Sequence, residues 1–189
     1  PVHPIMKRFS VVLFSALACV ALLRATEKPA PAPLKVEGFS FVKTVGAISE
    51  YKLDANGLAV LLLPEHSAPV VTFMVTYRVG SRHEVTGTTG ATHLLEHLMF
   101  KGSDAFNDKK GNSVKQFLET VGGNYNATTY LDRTNYYETG PSNALPLMLW
   151  LDADRMGWLL PTMDKEKLDL QRDVVKNERR QSYDNVPYG

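Results

Sequence analysis

His93-Leu94-Leu95-Glu96-His97 is the stretch on which the reading of this chain turns. An α-helix advances ~100° per residue, so histidines four apart lie ~40° apart on one face, a turn from each other. Both imidazoles can then reach a single ion. Glu96 falls ~60° from His93 on the same side, close enough to touch a water at that ion. A catalytic zinc takes three protein ligands and keeps one position open. This helix offers two, so the third is expected from another element, as a carboxylate. Glu96 is then free to act as a base, which an ionised carboxylate can do at neutral pH without activation. Its alternative is to orient the site without moving protons.

The order H-x-x-E-H inverts the commoner H-E-x-x-H and marks the inverzincins. Gly80-Ser81-Arg82-His83-Glu84 and Thr89-Gly90-Ala91-Thr92 precede it, and Phe100-Lys101-Gly102-Ser103 follows. Further on stand Gly122-Gly123-Asn124-Tyr125-Asn126-Ala127-Thr128-Thr129, Asp132-Arg133-Thr134-Asn135-Tyr136-Tyr137 and the run from Arg172 to Arg180. From about Tyr51 to Gly189, this ordered set resembles the insulinase/pitrilysin family of zinc peptidases, which includes the mitochondrial processing peptidase.

That resemblance implies a zinc-dependent metalloendopeptidase acting on peptides or unfolded protein segments. It implies Zn2+ on His93, His97 and Glu178, with Glu96 as general base. Glu178, in Asn177-Glu178-Arg179, stands 81 positions after His97. The spacing is slightly longer than usual for the family, and the polar loop Asn107 to Asn112 can hold the excess. Glu119, Glu138 and Glu166 are weaker rivals, expected as surface charges. Some relatives carry an acidic residue two turns before the third ligand; Gln171 stands there, so no proton role is assigned to it. The resemblance also makes Asn124 to Tyr130 an edge strand beside the metal, with Asn126 and Ala127 at peptide-contacting positions, a plain structural strand being the alternative. His83 is read as structural, and Tyr136 and Tyr137 as core or sheet residues.

Composition sets the class. With 189 residues, 44% apolar and 22% charged, the chain suits one globular domain with a real core. Its 21 Lys+Arg against 20 Asp+Glu leave no basic excess that would ask for nucleic acid. Met6-Lys7-Arg8 followed by the largely apolar run Phe9 to Leu23 reads as a secretory signal, too short for a comfortable membrane span. Export to a bacterial periplasm is expected, with no stable span after cleavage. A lipid-anchored form through Cys19, which follows Ala16-Leu17-Ala18, is the alternative. The lone cysteine lies in this leader, so the folded part has no disulfide. Residues 1–33 are thus signal and Pro/Ala tether, and residues 34–189 a zinc-binding peptidase domain.

The remainder reads as an α+β domain, an antiparallel-rich sheet with packed helices. Asn56-Gly57 between Tyr51-Leu53 and Leu58-Leu63 signals a hairpin. Val70 to Val79 reads as a strand. Ala91 to Phe100 is the motif helix, and Asn112 or Ser113 caps a helix to Val121. Tyr125-Tyr130 and Thr134-Thr139 form a strand pair. Ser142 caps a helix to about Leu159, and Asp164 one through about Ser182. The resemblance makes this the N-terminal domain of a clam-shell metallopeptidase of two or more domains, truncated here. Besides a self-contained enzyme, two roles stay open: the zinc-bearing subunit of a two-chain peptidase, and a non-catalytic binding or scaffold subunit of the same fold. Such scaffold subunits usually lack parts of the motif, whereas His93, Glu96, His97 and Glu178 are all present here.

Overall fold

The computed structural model describes residues 32–187. The leader run, Cys19, most of the tether and the last two residues lie outside that range. The chain divides into two compact units, one ending at His66 and one beginning at Ser67.

The first unit is a three-stranded antiparallel meander of β1 (Phe39–Val45), β2 (Ile48–Leu53) and β3 (Ala59–Leu62). The β2–β3 pair is the hairpin expected around Asn56-Gly57, with Lys52 opposite Ala59. Gly57 takes a left-handed φ of +78°, which a residue without Cβ adopts cheaply. Its amide donates to the Leu53 carbonyl at 2.8 Å, and Asn56 Oδ1 accepts the Leu58 amide at 3.0 Å. β1 went unread, although Gly38 and Gly46 bound it in left-handed turns with φ of +79° and +58°. It is held by Tyr51 on β2, which is buried, packs edge-on to Phe41 at 5.5 Å, and accepts the Leu34 amide on its hydroxyl at 2.7 Å.

The second unit carries the motif. Its sheet comprises β4 (Val70–Tyr77), β5 (Asn124–Thr129) and β6 (Thr134–Pro141), all antiparallel in the order β4-β6-β5. β6 pairs along its length with both neighbours, which leaves β5 an edge strand. Burial along β6 alternates strictly, so Thr134, Tyr136, Glu138 and Gly140 point inward at the two-residue period of a strand. Among the described residues, four α-helices accompany the sheet: α1 (Ala91–Leu98), α2 (Val114–Thr120), α3 (Leu145–Trp158) and α4 (Lys165–Arg179).

The helix starts follow their local chemistry. Ser113 donates its amide to Gln116 Oε1 at 2.8 Å, half of a capping box before α2. Asp164 accepts the Lys167 amide at 2.7 Å before α4. The start of α3 differs from expectation. Ser142 makes no side-chain cap but opens a single 3-10 turn, Ser142–Ala144, and α3 begins at Leu145 with Pro146 in its first turn. Proline is favoured there because first-turn amides have no intrahelical acceptor to lose.

Two apolar clusters hold the layers together. Phe106, Val114, Leu118, Ala144, Met148 and Leu151 join α2 and α3. Met99, Ala127, Tyr136 and Leu159 join the ends of α1 and α3 to β5 and β6. Each fully buried Leu or Met side chain is worth about 1.5–3 kcal/mol. The second cluster fixes the motif helix against the edge strand.

A buried charged group lies between β6 and α3. Glu138, Asp152 and Arg155 are each at most 2% exposed. The Arg155 guanidinium contacts the Asp152 carboxylate and stands 3.9 Å from Glu138 Oε1. It also lies over the rings of Tyr136, at 4.7 Å, and Phe100, at 5.3 Å. Glu138 is therefore not the surface charge expected from the sequence. The inward phase of β6 carries it under the sheet.

Candidate metal centre

α1 is pinned at its start by a residue outside it. Gly90 occupies the N-cap with φ +91°, a conformation that lets the chain turn sharply into the helix. The Glu84 carboxylate accepts the amides of Gly90, at 2.8 Å, and Thr92, at 2.9 Å, and the Thr92 hydroxyl at 2.5 Å. Foremost through the Thr92 hydroxyl, and then through those amides, the Glu84 carboxyl is held below its ordinary pKa. A negative charge here also complements the helix dipole.

From that start, His93 and His97 project on one face. Their Nε2 atoms are 3.2 Å apart, and each lies 3.4 Å from Oε2 of Glu178. Glu178 comes from the last turn of α4, which packs against α1. A tetrahedral zinc with bonds of ~2.0–2.1 Å would set its ligand atoms about 3.3–3.4 Å apart. The three separations match that spacing, and two imidazoles with one carboxylate form a familiar zinc donor set. The side chains are 40%, 18% and 44% exposed for His93, His97 and Glu178, so the cluster opens to solvent on one side. His93, His97 and Glu178 could hold a metal ion.

Glu96 lies on the same helix, buried, with one carboxylate oxygen against β5. Its Oε2 accepts a hydrogen bond from the hydroxyl of Thr129, the last residue of β5. Asn126 and Ala127 stand mid-strand on β5. Ala127 is buried against Tyr136, its register partner, and its amide donates to Asn126 Oδ1 at 2.8 Å.

The remaining candidates fall elsewhere. Glu119 pairs with Lys115 at 3.6 Å and Glu166 with Lys109 at 3.1 Å, both well exposed. Glu138 belongs to the buried group under β6. Gln171 is buried on α4. The His83 Nδ1 accepts the Gly80 amide at 3.2 Å and stays within its own loop. Tyr136 is buried, and burial pushes its hydroxyl pKa upward. Two contributors escaped the sequence reading. Glu84 acts across six residues to Gly90 and Thr129 across the fold to Glu96, so neither had a local pattern to show it.

The family model "Insulinase (Peptidase family M16)" matches residues 59–187. This chain belongs to the insulinase family. It is 36% identical over 135 residues to the zinc protease PqqE of Helicobacter pylori, covering 71% of this chain and 29% of that protein. It is 30% identical over 166 residues to cytochrome b-c1 complex subunit 1 of Rattus norvegicus, covering 86% and 33%. A protease structure from Helicobacter pylori superposes with a TM-score of 0.67 at 34% identity, over 75% of this chain and 33% of that one. The chain thus spans about a third of the length of these relatives. The α+β architecture expected from the sequence stands, with the antiparallel sheet and packed helices of a larger insulinase-family protein.

Proposed function

We propose that this insulinase-family chain carries the zinc site of a metalloendopeptidase that cuts peptides or unfolded protein segments. The carrying observation is the convergence of His93, His97 and Glu178 at 3.2–3.4 Å, with Glu96 buried beside them on the same helix. When bound, zinc supplies Lewis acidity, which polarises a carbonyl and lowers the pKa of water toward ~7. Glu96 accepts the proton of the attacking water and returns it to the leaving amine. His93, His97 and Glu178 would hold the ion and fix where the reacting groups meet. β5 offers its free edge to an extended peptide, with Asn126 and Ala127 in the contacting stretch. Backbone pairing demands little of the substrate sequence, so selectivity comes from surrounding pockets.

The likeness to a cytochrome b-c1 subunit favours a second reading, a non-catalytic subunit of the same fold. The presence of all four chemical positions weighs against it. A zinc-bearing subunit that works with a second family chain is compatible with the same geometry. The leader supports export to a periplasm, or a lipid anchor at Cys19. Among the described residues, no helix is long and apolar enough to cross a membrane.

The test is cleavage of a quenched peptide by the complete protein, with zinc removed by chelation and restored. Glu96→Gln is expected to keep stoichiometric zinc and lose about 10³- to 10⁴-fold in kcat. A zinc-loaded wild type that cuts no member of a peptide library would instead support the non-catalytic reading.

A further inference from the structure

Glu96 is a carboxylate nearly withdrawn from water, 9% exposed, on the helix that also carries His93 and His97. A buried carboxylate without a donor is costly and free to turn. Among the described residues, one hydrogen bond reaches it, from the Thr129 hydroxyl to Oε2. Oε1 makes no hydrogen bond there, nor does it stand among the polar atoms sealed away without a partner. One carboxylate oxygen is thus anchored and the other left toward solvent.

The anchor comes from the strand that faces substrate. Thr129 closes β5, where it pairs with Thr134 of β6, and α1 packs on β5. Its β-branched side chain has few rotamers, and the strand fixes its backbone. The hydroxyl therefore stands at a set height over Glu96. A threonine hydroxyl has one proton to give. Given to Oε2, it fixes the rotation of the carboxylate about its last bond.

We propose that Thr129 is the positioning residue of the general base. It clamps Oε2 of Glu96 so that Oε1 is presented to the attacking water, and it couples the peptide-binding strand to the metal helix. This rests on the peptidase reading given above. Asn126 and Ala127 hold substrate, whereas Thr129 acts through Glu96 and not on the peptide.

The experiment compares Thr129→Val, which keeps shape and removes the hydroxyl, with Thr129→Ser, which restores it, in the complete zinc-loaded protein. Thr129→Ala serves as a second deletion should the valine variant fold poorly. Loss of a hydrogen bond to a charged group predicts a kcat about 10- to 100-fold lower in Thr129→Val. KM should stay within about twofold and zinc content unchanged, with a melting temperature lower by a few degrees for the lost buried bond, while Thr129→Ser restores that temperature and returns kcat to within about threefold of wild type. In a Glu96→Gln background, Thr129→Val should cost nothing further, since the group it positions is gone. In metal-free protein, the infrared carboxylate bands of Glu96, identified by difference from Glu96→Gln, should shift in Thr129→Val and return in Thr129→Ser. An unshifted band, an unchanged kcat, a loss that serine does not rescue, or an additive loss in the Glu96→Gln background would each overturn the proposal. A wild type without peptidase activity would sink the peptidase reading itself. An active wild type with an indifferent Thr129→Val would sink only the role of Thr129.

Discussion

Two groups of opposed acids and bases lie in the same unit and differ mainly in water. His93, His97 and Glu178 stand at the surface where α1 meets α4, with Glu178 44% exposed. Glu138, Asp152 and Arg155 lie under β6, each at most 2% exposed. At the surface, solvent shares the cost of holding charge, and ligands can exchange with a metal or a substrate. Under the sheet, the charges face one another and the rings of Tyr136 and Phe100. Desolvation pushes the Glu138 carboxyl from an ordinary value of 4.5 up to about 7, against the opposing pull of Arg155. The same burial lowers the pKa of Arg155. The open group could hold a metal ion, and the closed one ties α3 to the sheet beneath the edge strand.

The largest effect expected from breaking this contrast is at Arg155. Arg155→Leu strands two buried carboxylates and should cost about 3–5 kcal/mol in a urea titration. A cost below about 1 kcal/mol would show that water reaches the group and that it is no more buried than the metal cluster.

Glu178→Gln probes the open group. It should weaken zinc binding by at least about 100-fold in chelator competition and leave folding nearly unchanged, since Glu178 is itself 44% exposed. Glu166→Gln, on the same helix, should leave zinc affinity as it was. Full zinc retention in Glu178→Gln would move the third ligand to another carboxylate.

The pH dependence sharpens the contrast by its sign. Between 4.5 and about 7, Glu138 keeps its proton in the folded state while the unfolded chain ionises there. The folded state then binds more protons, so stability falls as pH rises through that window, by at most about 3 kcal/mol. Glu138→Gln should flatten this part of the profile, read by denaturation between about pH 5 and about pH 7.5. Glu84 runs the other way. Its carboxyl is lowered from 4.5, so its contribution is present above that value and fades as pH falls below it. Glu84→Gln should cost about 1 kcal/mol near neutrality, the smallest of these effects, as loss of a helix-start anchor does. An equal cost in strong acid would contradict the charge-based account.

The chain's own pattern told most of what is local. The 3.6-residue period places His93, Glu96 and His97 on one side of a helix wherever that helix sits. Asn56-Gly57, Asp164 and Ser113 announce a turn and two helix starts, because capping and left-handed backbone depend on residues a few positions apart. Those signals have finite reach. Ser142 resembled a cap, yet Pro146 suits the first turn and the helix begins at Leu145. β1 is bounded by Gly38 and Gly46, but its mostly exposed side chains show no clean two-residue alternation to mark it as a strand.

What only the tertiary structure decided concerns carboxylates. Glu119, Glu138, Glu166 and Glu178 are the same residue in the sequence. Their fates separate because α4 packs on α1 and brings Glu178 to two imidazoles, while the inward phase of β6 carries Glu138 under the sheet. Thr129 meets Glu96 across 33 residues for the same reason. Hydrogen bonds and desolvation act over a few ångströms of space, and separation along the chain does not encode that distance until the sheet and helices have closed on one another.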